Sequence, residues 1–323
     1  MTRNSLSCLE LCAGAGGQSR GLELAGFDHA GLVELDADCC RTLTLNRPEW
    51  SVTQGDLNDF SGSSHEGVDL VAAGLPCPPF SVAGKQLGAA DERNLFPAAI
   101  RVVEEVRPKA VMIENVRGFL DDVFETYRSS IRHDLRKLGY ETHWRLLNAS
   151  DFGVPQLRPR VVIVALRDDI KDRFEWPVAT PHDAPTVGET LRDLMAARGW
   201  LGAERWAARA NEIAPTLVGG SKKHGGPDLG PTRARKAWAS LGVNGKSLAE
   251  EAPDPDFVGM PRLTARMAAR IQGFDDAWSF YGRKTASYRQ VGNAFPPPVA
   301  RAVALQLRAA IEGRVSQRRA ATA

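Results

Sequence analysis

The chain lacks the features that would place it in a membrane, a secreted scaffold or a metal centre. No apolar run approaches the roughly 20 residues that a bilayer crossing needs. The apolar start Ser5–Leu11 is interrupted by Glu10 and runs into glycines, so it reads as a first strand and not as a secretory h-region. There are only five cysteines in 323 residues, an odd count, with no CxxC pair and no His-rich partner. That argues against a disulfide framework and a zinc site, and it suits a reducing compartment, with a cytoplasmic location expected. Neither sign of charge dominates: the formal net charge is +2, too little to identify a partner.

What is present is an ordinary globular composition, 43% hydrophobic and 25% charged, with length for one large core and a smaller second lobe. Charge is uneven along the chain. Between Leu217 and Ser247 the cations Lys222, Lys223, Arg233, Arg235, Lys236 and Lys246 face the single anion Asp228. Such a block among glycines suits a phosphate-contacting surface as well as it suits a solvated loop.

The first half alternates short apolar runs with amphipathic stretches. Strands are expected at Ser5–Leu11, Ala30–Leu35, Val68–Ala73, Ala110–Glu114, Thr142–Asn148 and Val161–Leu166, with helices at Gln18–Ala25, Ala37–Leu45, Leu95–Val106 and Phe124–Leu138. Continuously apolar strands alternating with helices imply a parallel sheet covered on both faces. The fold class is therefore α/β, a doubly wound Rossmann-like domain with ligands at the carboxyl ends of its strands. After Trp176 the chain becomes rich in Gly, Pro, Ala and basic residues as far as about Pro261. The division expected is 1–176 with 285–313 as the catalytic domain, 177–284 as a smaller loop-rich domain, and 314–323 as a disordered tail. Pro296–Glu312 reads as a helix that packs back on the first domain. Trp206 and Trp238 read as core residues of the smaller lobe.

Two ends of the first domain carry chemistry. The first strand runs into Glu10-Leu-Cys-Ala-Gly-Ala-Gly-Gly17, a glycine turn that lets backbone approach a ligand at a helix N-terminus. Glu34 ends the second strand, where a carboxylate accepts both hydroxyls of a ribose. Asp56 follows Gly55 near an expected third strand, in reach of an adenine amino group. The set suits an adenosyl cofactor. The other end begins where Val68–Ala73 empties into Gly74-Leu-Pro-Cys-Pro-Pro-Phe-Ser81, which sets Cys77 between prolines at the rim of the sheet. The neighbouring strand ends in Glu114-Asn115-Val116. Arg158 and Arg160 alternate in Gln156-Leu-Arg-Pro-Arg160 and so point to one side of an extended segment. A thiol, an acid and a guanidinium in one pocket have a chemical logic: attack on an electron-poor ring carbon, protonation of the ring, and a grip on its carbonyl oxygen.

In order and spacing, these pieces resemble the DNA (cytosine-5) methyltransferase family of bacterial modification enzymes. The matching segments are Leu11–Gly17, Pro76-Cys77 with Phe80-Ser81, Glu114-Asn115-Val116 and Gln156-x-Arg158-x-Arg160. Pro261-Arg-Leu-Thr-Ala-Arg with Ala269-Arg-Ile-Gln-Gly-Phe274, and Tyr288-Arg-Gln-Val-Gly-Asn293, complete the set. The resemblance implies an S-adenosylmethionine-dependent enzyme with a target-recognition domain in the intervening stretch. It further implies a monomer that acts on double-stranded DNA without a metal. By similarity Cys77 adds to C6 of a flipped cytosine, Glu114 binds N3 and the exocyclic amine, and Arg160 binds O2. Arg158 supports the loop or a phosphate. The cofactor roles fall on Gly14, Gly16, Glu34, Asp56, Pro76 and Asn293. DNA contacts fall on Ser81, Lys85, Arg93, Lys222, Lys223, Arg233 and Arg235; Ser81–Asn94 resembles the family's mobile catalytic loop. The sequence departs from the family where Cys12 replaces a phenylalanine, Glu10 an aspartate and Leu35 an aromatic residue, so adenine must be packed differently. Three other readings of the same architecture are an RNA cytosine-5 methyltransferase, a catalytically silent DNA-binding regulator, and a small-molecule methyltransferase, the last of which leaves the basic lobe and the Pro-Cys with Glu-Asn-Val combination unexplained. The basic lobe disfavours the first, and the presence of Cys77, Glu114 and Arg160 disfavours the second.

Overall fold

The computed structural model describes residues 5–76, 94–180, 184–220, 226 and 228–314. By its internal contacts the chain forms two compact units. The first comprises 1–147, 159–178 and 299–323, and the second 148–158 and 179–298.

The first unit is built on a seven-stranded sheet. Its strands are β1 (Leu6–Leu11), β2 (Phe27–Glu34), β3 (Val52–Gln54), β4 (Leu70–Gly74), β5 (Ala110–Val116), β6 (Tyr140–Asn148) and β7 (Pro159–Arg167), in the order β3-β2-β1-β4-β5-β7-β6. The pairs β3–β2, β2–β1, β1–β4 and β4–β5 are parallel. The winding reverses between β1 and β4, so the carboxyl ends of these two strands form the switch point where α/β sheets bind ligands. β4 is buried along almost its whole length, the mark of a strand covered on both faces. Leu9, Leu11, Val71, Val111, Ile113 and Ile163 pack on one face against α3 (Phe96–Val106) and α4 (Glu125–Lys137). α1 (Gly17–Leu24) and α2 (Ala37–Asn46) pack against β2.

The sheet is mixed, which corrects the all-parallel expectation. β7 runs antiparallel to β5, from Ala110↔Leu166 to Val116↔Arg160. Only residues 149–158 link β6 to β7, fewer than the dozen or so that a parallel crossover requires. The reversal brings the start of β7 to the carboxyl end of β5, and this positions the site below. The edge strand β3 is three residues long and mostly exposed, too short for an alternating pattern to show in sequence. The last helix, α10 (Pro297–Ile311), returns to this unit from Val299 onward, and Arg308 donates to the carbonyls of Ala25 (2.8 Å) and Gly26 (3.1 Å).

The second unit is helical, with α5 (Val187–Ala196), α6 (Ala203–Arg209), α7 (Thr232–Ser240), α8 (Ala265–Ile271) and α9 (Lys284–Asn293). Thr186 and Glu189 close a capping box at the start of α5, which satisfies two donors that the helix end leaves open. α5 lies so close to α6 that a Cβ at Gly188 would overlap the Ala207 carbonyl oxygen. Trp206 and Trp238 are buried and belong to this unit's core, as expected of them; Trp206 Nε1 donates to Gly242 O (3.1 Å).

Candidate active site

The glycine turn after β1 forms one half of the site. Cys12 adopts φ +52°, a conformation side chains rarely take, and Gly14 (+57°) and Gly16 (+89°) take left-handed angles before α1 begins. Glycine takes such angles without the roughly 1–2 kcal/mol that a Cβ crowding the backbone carbonyl would add. Glu34 reaches the turn from the end of β2: its Oε2 accepts from Gly14 N and its Oε1 from Asp36 N, both at 2.7 Å. Burial raises the Glu34 pKa, while the two backbone N–H groups oppose the rise. The Glu34 carbonyl in turn accepts from Gly55 N (3.0 Å), which ties the Asp56 turn to the same place. Asp56 is exposed, and its Oδ1 accepts from Asn58 N (2.9 Å) and Nδ2 (3.0 Å).

Cys12 sits among these acids. Burial, followed by the charges of Glu34, Asp56 and Glu10, pushes its thiol well above the ordinary range. It is therefore held as a neutral thiol and is unsuited to act as a nucleophile. Among the described residues, a Cβ on Gly14 or on Gly55 would meet nothing within 4 Å. The cradle suits the hydroxyls of a ribose by the chemistry of its acceptors. Each Glu34 oxygen carries a second lone pair beyond the one its backbone bond uses. Leu35, the residue after Glu34, is exposed and apolar, a surface available to an adenine ring.

The second half lies one strand over. β4 ends at Gly74, whose Cβ position would lie 3.2 Å from the Cys12 carbonyl, and continues through buried Leu75 to half-buried Pro76. Gly74 pairs with Glu114 of β5. Because Val116 pairs with Arg160 and Glu114 with Val162, Glu114 and Arg160 are diagonal neighbours on one face of the sheet. Arg160 Nε lies 2.8 Å from Glu114 Oε1, and only 14% and 12% of the two side chains are exposed. Asn115, on the opposite face, is buried and its Oδ1 accepts from Val116 N (2.9 Å).

The structure thus brings Glu114 together with Arg160, and Gly14 with Glu34 and Asp56. It gives Arg158 a different setting. Its guanidinium is buried in the second unit and donates to main-chain carbonyls of Leu217 (2.8 Å), Gly292 (2.8 Å) and Ala294 (3.1 Å). Asn293 also belongs to the second unit, where its Nδ2 donates to Gly220 O (3.1 Å). Arg233 is exposed and Arg235 half-buried on α7, with Arg235 near Asp228 (3.5 Å). Cys77, Ser81, Lys85, Arg93, Lys222 and Lys223 lie outside the described residues. No cluster of metal-ligating side chains occurs among the described residues. Gln272 and Gly292 lie within the Ala269–Phe274 and Tyr288–Asn293 segments that carry the resemblance, but sequence reasoning assigned neither of them a role, nor Gly219; all three engage the Arg158 network.

The doubly wound sheet thus carries a carboxylate-lined glycine turn at its switch point and an acid–guanidinium pair across β5 and β7. The family model for C-5 cytosine-specific DNA methylase matches residues 6–309, and the chain belongs to that family. Among its relatives, the Type II methyltransferase M.NaeI of Lentzea aerocolonigenes is 56% identical over 313 residues, 95% of this chain and 76% of that protein. The Type II methyltransferase M.NgoMIV of Neisseria gonorrhoeae is 52% identical over 302 residues, 93% of this chain and 96% of that protein. The crystal structure of a Spodoptera frugiperda DNMT2 mutant shares the fold with a TM-score of 0.66 at 17% identity, covering 94% of this chain and all of that one (100%).

Proposed function

We propose that this protein methylates C5 of a cytosine flipped out of a short double-stranded DNA site, with S-adenosylmethionine as donor and Cys77 as nucleophile. The observation that carries this reading is the Glu114–Arg160 pair at the carboxyl end of β5. A carboxyl group beside a guanidinium complements the pairing edge of cytosine, which offers an amino donor, a ring nitrogen and a carbonyl oxygen in a row. The high identity to two proteins named Type II methyltransferases supports a modification enzyme of a restriction–modification pair or one acting alone.

Each residue has a distinct task. The Cys77 thiolate adds to C6, which opens the C5=C6 double bond and makes C5 electron-rich. Glu114 binds N3 and the exocyclic amine, and Arg160, held by Glu114, grips O2; together they take up the charge that attack pushes into the ring. When bound, S-adenosylmethionine supplies an electrophilic methyl group to C5. Loss of the C5 proton then restores the double bond as the cysteine leaves. Gly14, Gly16, Glu34, Asp56 and Pro76 form the cofactor cradle, with Glu34 on the ribose hydroxyls, and Asn293 is assigned to the same ligand. C5 and C6 are shielded in a stacked duplex, so the base must leave it at a cost of a few kcal/mol. The second unit, with Arg233 and Arg235 and the neighbouring lysines Lys222 and Lys223, contacts phosphates, and the resemblance assigns further DNA contacts to Ser81, Lys85 and Arg93.

The test is incubation with S-adenosylmethionine and unmethylated genomic DNA, followed by mapping of 5-methylcytosine, with Cys77→Ser in parallel. Methylation at one short motif, absent with the variant, is the expected result. No new 5-methylcytosine from a folded, cofactor-binding preparation refutes the proposal.

A further inference from the structure

Arg158 is among the largest fully buried side chains of the protein, and a buried cation needs every donor placed. Three of its acceptors come from two separate stretches: Leu217 from one, Gly292 and Ala294 from the other. Gln156, two residues earlier, works on the same joint. Its Oε1 accepts from Leu217 N (2.8 Å), and its Nε2 donates to Gln272 Oε1 (2.7 Å) and to Ile271 O (3.3 Å). Gln272 passes the connection on by donating to Ala294 O. Both main-chain groups of Leu217 are thus taken by side chains of the 156–158 segment. That segment also runs parallel to 214–217 through the Gln156↔Ala214 bridge, with Ala214 N on Pro155 O (2.9 Å) and Leu157 N on Ala214 O (2.8 Å).

The stretch that begins at Leu217 is held further along by shape. A Cβ on Gly292 would lie 2.5 Å from both the Cα and N of Gly219, and a Cβ on Gly219 would lie 2.6 Å from Arg289 O. Two glycines are required for these backbones to touch. Asn293 Nδ2 then donates to Gly220 O. Four successive residues, 217–220, are therefore fixed to the end of α9 and the turn after it. In sequence, Lys222 and Lys223 follow at once. Opening this joint would strand a desolvated guanidinium and three carbonyls, so it holds as one piece or not at all.

We infer that Arg158 is a positioning residue for target recognition: it acts through backbone carbonyls to set the root of the DNA-contacting segment, and does not touch the reacting base. This rests on the proposed action on DNA, so the experiment starts with the wild-type enzyme. Once its motif has been mapped, a short duplex carrying that motif and duplexes with one base pair altered become the probes. Arg158→Lys keeps the charge but not the planar fork that reaches three carbonyls. Gly292→Ala strains the same joint from the other side with no change of charge. Both variants are expected to raise KM for the cognate duplex about tenfold or more and to lower discrimination against altered duplexes by a similar factor, since a displaced contact surface loses both. The kcat at saturating DNA is expected to stay within about threefold, and cofactor affinity within about twofold, because neither variant removes a group that acts only in the transition state. A collapse of kcat in Arg158→Lys with KM for DNA unchanged would mean that Arg158 contacts the base, and overturns the inference. So do wild-type KM and discrimination in both folded variants, and so does loss of folding in both, which would make the joint merely structural. If the wild-type protein methylates no DNA, the proposed function itself fails first, and the two failures are told apart by that control.

Discussion

Glu114→Gln isolates the acid without dismantling the site. The amide is isosteric with the carboxylate, and its oxygen still accepts from Arg160 Nε, now 2.8 Å from Glu114 Oε1. Two things are lost: the negative charge that holds the guanidinium, and the ability to exchange a proton with the cytosine ring. The amide's N–H₂ also faces the exocyclic amine of the base donor to donor. Loss of a positioned acid typically costs about 10²–10⁴ in rate, which at 1.36 kcal/mol per decade is about 3–5 kcal/mol of transition-state stabilisation. The cost in folding is smaller, about 1–2 kcal/mol, because the pair is replaced by a neutral hydrogen bond and not broken. That moves the melting temperature by only a few degrees, at roughly 2–4 °C per kcal/mol in a chain of this size class. The assay is single-turnover methyl transfer from labelled S-adenosylmethionine at saturating duplex, beside a thermal melt and calorimetric cofactor binding. The expected pattern is a rate loss of about a hundredfold or more, with cofactor affinity unchanged, since Glu114 is not among the Glu34–Gly14 cradle contacts. A folded variant that methylates within about threefold of the wild-type rate would refute the assignment, because no ordinary acid catalyst is that dispensable.

Four further outcomes are expected. Cys77→Ser is expected to abolish methyl transfer while retaining cofactor and DNA binding; a 5-fluorocytosine duplex, which has no C5 proton to lose, should form a covalent band with the wild type only. Glu34→Ala should weaken cofactor binding by about tenfold or more, since a carboxylate that accepts charged-strength bonds at its post is replaced by nothing; calorimetry reads this directly. Burial raises the Glu34 pKa, so between the ordinary carboxylate value and the raised one the folded state holds more protons than the unfolded. Stability contributed here is full below the ordinary value and is lost as pH rises through the raised one. The melting temperature of the wild type should therefore fall relative to Glu34→Gln as pH rises from acid toward neutrality, and a gap that is flat with pH would contradict it. Gly188→Ala should destabilise the second unit by about 1–3 kcal/mol, the usual cost of overpacking, because the added carbon overlaps the Ala207 carbonyl; a melt at or above the wild-type temperature would show that α5 and α6 can part without cost.

Much of this molecule is legible in its sequence, because the signals are local. Continuous apolar runs such as Val161–Leu166 are strands and amphipathic stretches such as Leu95–Val106 are helices, in each case to within a residue or two of the structure. The turn at Cys12–Gly17 needs left-handed backbone at Gly14 and Gly16, and glycine is what permits it. The family resemblance identified Glu34, Glu114 and Arg160 by their places at strand ends. Tertiary structure decided what depends on register and direction. The antiparallel course of β7 follows from a link too short to cross over, and no strand pattern states it; only that course makes Arg160 the diagonal neighbour of Glu114. The alternation of Arg158 and Arg160 suggested a shared side, yet one guanidinium joins an acid and the other is spent on three carbonyls 59 to 136 positions away in sequence. The contact of Gly219 with Gly292 is equally silent in the sequence, because the need for a missing Cβ exists only once two distant backbones have met.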